Sequence, residues 1–181
     1  PVFLNNGTCL LPAYDERKRS SIILSSEPPY SNWKISYSFK GTDIIQSVLI
    51  KTKEDHLIMF FRPHSDPRFI WKSHSTDQGV SWTTPDMTSL PNPLSGISTI
   101  SVNNSIAMIY NHTHEHKRYP LSVSVSRDKG TTWGEHWNLD NVKFEISYPS
   151  FILGNKNTVH GLYTYNRRMI KYVKFNTEKF C

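Results

Sequence analysis

The densest set of reactive side chains in the sequence is His112, His114 and His116, which alternate around Glu115. On a strand, alternate residues share a face, so three imidazoles would point the same way and could ligate zinc or nickel. The segment lies between two apolar runs, however, and reads as a polar loop joining them. No metal and no cofactor are expected, and HExxH spacing is absent. The basic groups Arg17-Lys18-Arg19, Lys117-Arg118 and Arg167-Arg168 are short and separated, without the interleaved aromatics of a nucleic-acid groove. They read as solvated loops, and no nucleic-acid partner is expected.

The elements that position these groups follow from composition and repeats. The chain has 181 residues, 37% hydrophobic, 13% aromatic and 20% charged, which is globular composition rich in rings. A formal charge of +6 favours an anionic ligand or surface. No apolar stretch approaches the roughly 18 residues of a membrane-spanning helix. Two octets, Ser75-Thr76-Asp77-Gln78-Gly79-Val80-Ser81-Trp82 and Ser126-Arg127-Asp128-Lys129-Gly130-Thr131-Thr132-Trp133, share the pattern S-x-D-x-G-x-x-W at a spacing of 51 residues. The Gly supplies the positive φ of a tight turn, the Asp accepts backbone N–H groups within it, and the Trp covers it. A degraded third copy, Ser25-Ser26-Glu27-Pro28-Pro29-Tyr30, ends at Trp33 without the Asp or the Gly.

Short β-branched or aromatic runs fall between the octets: Ile44–Ile50, Leu57–Arg62, Ile97–Val102, Ile106–Tyr110, Leu121–Ser126, Tyr148–Leu153, Val159–Tyr165 and Ile170–Phe175. Turn residues at Lys53-Glu54-Asp55, Asn103-Asn104 and Gly154-Asn155-Lys156-Asn157 join them in pairs. No 11-residue window holds a helical period. The fold class expected is all-β, a β-propeller of four-stranded antiparallel blades with three to four blades present, near 1–41, 42–92, 93–142 and 143–181.

The chain resembles the sialidase-like BNR/Asp-box family of six-bladed propellers, in its predicted-neuraminidase branch. Beyond the octets, the resemblance rests on Leu90-Pro91-Asn92-Pro93-Leu94-Ser95-Gly96, Tyr110-Asn111, Arg118-Tyr119-Pro120-Leu121-Ser122-Val123, Ser147-Tyr148-Pro149-Ser150, Tyr163-Thr164-Tyr165-Asn166-Arg167 and Ile170-Lys171-Tyr172-Val173-Lys174-Phe175. It implies the C-terminal half of the ring. Six blades of about 50 residues need roughly 300, so a fragment, a processed product or one chain of a two-chain propeller is expected. The implied partner is a second chain or a missing N-terminal half.

The family's site holds a sugar carboxylate between three arginines and attacks the anomeric carbon with a tyrosine. The resemblance places the second arginine at Arg62, the third at Arg118 and the nucleophile at Tyr148. Strand-end arginines on the surface and a channel-lining aromatic are the alternative readings of these positions. Gln46 stands where the tyrosine-activating glutamate belongs, and an amide cannot take that proton. Asp43 and Glu145 are possible substitutes, but each reads more readily as an exposed acid beside a strand. The first arginine and the acid/base aspartate belong to blades outside this sequence.

Two functions stay open. One is a glycan-binding or exo-glycoside hydrolase module for an anionic, sialic-acid-like glycan, incomplete by itself. The other is an inactive propeller serving as a structural or interaction subunit; a nucleic-acid binder resting on net charge is a distant third. Asn6-Gly7-Thr8, Asn103-Asn104-Ser105 and Asn111-His112-Thr113 are glycosylation sequons and slightly favour a secreted or lumenal protein, with an intracellular or organellar assembly as the alternative. Cys9 and Cys181 fall far apart on a half ring, so they are expected not to pair.

Overall fold

The computed structural model describes residues 1–52 and 56–180. The Lys53-Glu54-Asp55 turn and the question of a Cys9–Cys181 bridge therefore lie outside the described residues; Cys9 itself is a buried free thiol. Among the described residues no helix is long and apolar enough to cross a membrane. The described residues form fifteen strands and one short 3-10 turn, Thr177–Phe180. It divides into two compact units, 1–87 and 88–181.

The first unit contains β1 (Val2–Phe3), β2 (Cys9–Asp15), β3 (Ser20–Ser26), β4 (Lys34–Ser38), β5 (Ile44–Lys51), β6 (Leu57–Pro63) and β7 (Phe69–Ser75). Strands β1 to β4 form one antiparallel meander and β5 to β7 a second. A single parallel bridge, Ser20 to Ile44, links the two. Between them Leu10, Ile23, Phe39, Ile44, Leu57, Met59, Phe61 and Trp82 close one core. Strand β8 (Asp86–Pro91) carries the chain across the unit boundary.

The second unit holds a four-stranded meander of β9 (Ser98–Val102), β10 (Ser105–Asn111), β11 (Leu121–Ser126) and β12 (Trp137–Asp140). A three-stranded one follows, β13 (Ile146–Leu153), β14 (Thr158–Tyr165) and β15 (Met169–Asn176). Ile100, Ile109, Leu121, Val123, Ile146, Phe151, Val159 and Tyr163 fill the core between these sheets. Period-2 alternation shows in β15, which from Ile170 onward reads exposed and half-buried in turn, whereas β6, β10 and β11 are buried along nearly their whole length.

Both octets form the turn their residues imply. In the first, Ser81 N–H donates to Asp77 Oδ1 at 2.9 Å, and Gly79 N–H donates to Ser75 Oγ at 2.8 Å. Trp82 Nε1 donates to the Gly79 carbonyl at 3.1 Å, and Gly79 has φ +86°. The second repeats the aspartate and serine bonds, Thr132 N–H to Asp128 Oδ1 and Gly130 N–H to Ser126 Oγ. The degraded copy keeps part of the geometry. Trp33 Nε1 donates to the Tyr30 carbonyl at 3.1 Å, and Tyr30 takes the glycine's place at φ +63°.

Two outcomes test this turn. The hydrogen bonds from Ser81 and Ser75 hold the Asp77 carboxyl down to about 2, and those from Thr132 and Ser126 hold Asp128 lower still. A carboxyl depressed in the folded state adds stability above its unfolded value, and this is lost as pH falls through the folded one. The urea midpoint should therefore drop between about pH 4 and about pH 2, and less so in an Asp77→Asn, Asp128→Asn double variant. Gly79→Ala would set a Cβ 3.1 Å from Leu10 Cδ1 and 3.2 Å from Leu57 Cδ1 at a positive φ. It should cost about 1–3 kcal/mol in the same measurement.

Candidate functional site

Each unit carries one constellation of the residues singled out above. In the first, β5 and β6 pair Ile45 with Arg62 and then Val48 with Phe60, so Gln46 and Ser47 face a single residue. This is a β-bulge, and it puts Gln46 at φ +44°. The bulge turns the amide toward the end of β6, where Gln46 Oε1 accepts a short hydrogen bond from Arg62 Nη1. Gln46 Nε2 in turn lies 3.5 Å from the hydroxyl of Tyr14 on β2. Asp43, just before β5, is engaged elsewhere. Its carboxylate accepts from the Ser65 hydroxyl and sits 3.5 Å from His64 Nδ1.

The second unit repeats the device with different chemistry. Strands β13 and β14 pair Ser147 with Thr164 and then Ser150 with Leu162, leaving Tyr148 and Pro149 opposite one residue. Tyr148 stands at φ +52° with 46% of its surface exposed. Arg118 Nη1 donates to the Tyr148 hydroxyl at 3.1 Å, and the guanidinium lies 5.3 Å from the ring centroid. Gly96 makes room for this arrangement, since a Cβ there would meet Tyr148 Cδ1 at 3.1 Å and its Cα at 3.4 Å.

Arg118 is fixed from three directions. Its backbone carbonyl accepts Ile146 N–H at 2.9 Å, its Nη2 donates to the Leu94 carbonyl at 3.3 Å, and its Nη1 reaches Glu145 Oε1 at 3.3 Å. The Leu94 carbonyl is itself held by a buried polar network. The Asn92 side chain grips the Ser95 backbone, its Oδ1 accepting the N–H at 2.8 Å and its Nδ2 donating to the carbonyl at 3.0 Å, and Ser95 Oγ donates to Asn111 Oδ1 at 2.6 Å. The Asn111 amide then donates to the carbonyls of Pro120 and Ile146 at 3.0 and 2.8 Å. The Pro-Asn-Pro-Leu-Ser-Gly run thus builds the shelf on which Arg118 rests.

Glu145 departs from the exposed acid expected of it. Its side chain is 19% exposed and pairs with Arg118 and, through Oε2, with Arg167 Nε at 2.6 Å. Burial pushes the carboxyl up, but hydrogen bonds from Ser147 and Arg167 and the charges of both arginines outweigh it, leaving it below its usual value. Arg118 is 22% exposed and Arg167 70%, so Arg118 is the guanidinium that the surroundings hold in place. Sequence reading missed this role for Glu145. Its position two residues before Ser147, whose hydroxyl also donates to it at 2.7 Å, was the available signal.

The histidines do not converge. Strand β10 ends at Asn111, so His112 to His116 follow a loop, and His114 and His116 are exposed. His112 instead stacks on His136 with ring centroids 3.6 Å apart. Burial, with added repulsion from His136 and His114, lowers its pKa to about 4. Among the described residues no group of three His, Cys, Asp or Glu could hold a metal ion. The basic loops meet local acids: Lys18 pairs with Asp15 at 3.4 Å and Lys117 with Glu115 at 2.6 Å.

Residues 1–160 match the family model described as a BNR repeat-like domain. No curated protein matches the chain in sequence. Among solved structures, the Hadza microbial sialidase Hz136 superposes with a TM-score of 0.80 at 18% identity, over 99% of this chain and 37% of its own. The NanB sialidase from Streptococcus pneumoniae gives 0.81 at 14%, over 99% and 30%. The intramolecular trans-sialidase from Ruminococcus gnavus gives 0.75 at 16%, over 96% and 41%. The fold is that of the sialidase-like β-propellers, and the chain spans well under half the length of each of these relatives.

The close approach of Gly96 to Tyr148 gives a double-mutant test. Gly96→Ala should destabilise by about 1–3 kcal/mol, because the new Cβ collides with the ring. Most of that cost should vanish in a Tyr148→Ala background, where only the 3.4 Å approach to the backbone remains. Urea denaturation of the four proteins of the cycle measures it.

Proposed function

The chain belongs to the BNR repeat-like domain family, and from that membership we propose that it is a sialidase-like glycan-binding module. It supplies part of a site for an anionic, sialic-acid-like sugar. The observation that carries this reading is the arginine–tyrosine pair. Arg118 is fixed by Glu145 and the Leu94 carbonyl, and it donates to the hydroxyl of a half-exposed Tyr148. A guanidinium fixed this way matches a carboxylate fork with little ordering left to do on binding. The same grip is proposed for Arg62 of the first unit, whose guanidinium Gln46 holds.

Hydrolysis asks more of the chain than binding does. For Tyr148 Oη to bond the anomeric carbon, its proton must pass to a base, and the departing glycosidic oxygen must receive one from an acid. Arg118 would stabilise the negative charge that develops on the tyrosine oxygen. The acid and the base are proposed to come from outside this sequence. They would lie in an N-terminal half or a second chain that completes a ring whose blades here are 1–41, 42–92, 93–142 and 143–181. The sequons slightly favour a secreted or lumenal setting for the whole, with an intracellular or organellar assembly as the alternative.

One observation favours the second reading, an inactive propeller kept as a scaffold. Gln46 occupies the position that the family resemblance assigns to the activating carboxylate, and an amide accepts no proton from a phenol. In the completed protein, Tyr148→Phe separates the two. Loss of turnover of an aryl sialoside, with binding of a sialic acid methyl glycoside retained, marks an enzyme; binding without turnover in either protein marks a lectin-like module. Arg118→Ala should weaken binding of that glycoside by about tenfold or more. Unchanged binding in both Arg118→Ala and Arg62→Ala would overturn the glycan reading and leave the scaffold.

A further inference from the structure

The degraded third octet has lost the aspartate and glycine that tighten its two sister turns, and a pocket of about 340 Å³ opens there. Glu27, Asn32, Trp33 and Lys34 line it with Thr8 and Ser26. In the intact first octet the tryptophan is sealed, with Trp82 only 9% exposed against the core. Trp33 is 42% exposed, yet it stays fixed by its Nε1 bond to the Tyr30 carbonyl. The loop is also braced from beneath, where Ser26 Oγ donates to the Asn32 carbonyl at 2.6 Å and the Tyr30 hydroxyl donates to the Gly7 carbonyl at 3.1 Å. A fixed, open indole beside amide, carboxylate and ammonium groups has the chemistry that a small polar ligand needs.

We propose that this pocket binds a neutral pyranoside, which lays its C–H face on the Trp33 indole and offers its hydroxyls to Asn32, Glu27 and Lys34. An amide and a carboxylate accept from hydroxyls, while the amide and the ammonium donate to them, so the rim can bond a sugar both ways. Glu27 and Lys34 carry opposite charges, which disfavours a charged ligand here, in contrast to the arginine constellations. The pocket is also apart from the Gln46–Arg62 constellation of its own unit. Strands β2 and β3 pair Cys9 with Ser26 at the pocket's end and Asp15 with Ser20 at the other, and Tyr14 reaches Gln46 from that other end. Six residues of strand separate the two ends, about 20 Å. The site is a second sugar contact, separate from the anionic one.

The test uses the 181-residue chain with methyl β-galactopyranoside and methyl N-acetyl-β-glucosaminide as probes, read by saturation-transfer NMR and by tryptophan fluorescence. Weak saturable binding of at least one probe is expected. Trp33→Ala should weaken it by about tenfold, and Trp33→Phe should retain part of it. Arg62→Ala and Arg118→Ala should leave it unchanged, so this site and the anionic one can fail independently. Cooperative urea unfolding of Trp33→Ala shows that the variant folds. Absence of saturation transfer in the wild type, equal transfer in Trp33→Ala, or a stronger Trp33-dependent signal from a sialic acid methyl glycoside would each overturn the proposal.

Discussion

A strand in a ladder cannot also lend a side chain to its own end without breaking register, and both candidate constellations depend on one solution to this constraint. In β5 and in β13 one extra residue is inserted opposite a single residue of the neighbour. The inserted pair begins with a non-glycine side chain at positive φ, Gln46 in one strand and Tyr148 in the other. A left-handed residue of that size is disfavoured, so the surroundings must hold it. For Tyr148 these are Gly96 under the ring and Arg118 on the hydroxyl; for Gln46 they are Arg62 and Tyr14. The bulge fixes where the functional side chain goes, and the side chain's partners fix the bulge.

Electrostatics divides the labour between the two copies. Arg118 and Arg167 share Glu145, so their charge is partly offset and their geometry is firmly set. Arg62 meets an amide, and that contact adds orientation without adding a counter-charge. Most short basic runs lie beside an acid of their own loop, as Lys18 does at Asp15 and Lys117 at Glu115. Under the proposed function an anion meets a small number of arginines with oriented forks, which net charge cannot reveal.

The parts of the fold legible in the sequence are those where apolar residues or a turn code carry the information. Strands such as β6 and β10 are continuous apolar runs, and the octets encode their turns residue by residue. Strand β3, Ser-Ser-Ile-Ile-Leu-Ser-Ser, was not legible because four of its seven residues are serines, all buried. Their burial is satisfied by bonds with distant partners, such as Ser21 Oγ to the Ile44 carbonyl at 3.1 Å, which no local pattern announces. Of the candidate site, motifs single out Arg62, Arg118, Gln46 and Tyr148, but nothing local in the sequence announces their contacts. Glu145 was misread because a strand-flanking acid looks exposed until the residue 27 positions earlier is known to reach it.

The degraded octet shows what the intact one is for. Asp77 and Asp128 each collect hydrogen bonds from the residue four positions on, pulling the turn closed over its tryptophan. Where the aspartate is gone, the tryptophan keeps its bond to the carbonyl three residues back, so the aspartate does not position the indole. What changes against the first octet is coverage: Trp82 is core filler and Trp33 open surface, with Trp133 of the second octet half-buried between them. A buried indole stabilises the fold by its apolar area, and an exposed one forgoes much of that gain. Retaining a large ring in a place where it packs less completely is sensible if the ring has something else to meet. Loss of the turn code and gain of a binding surface are then two sides of one substitution pattern.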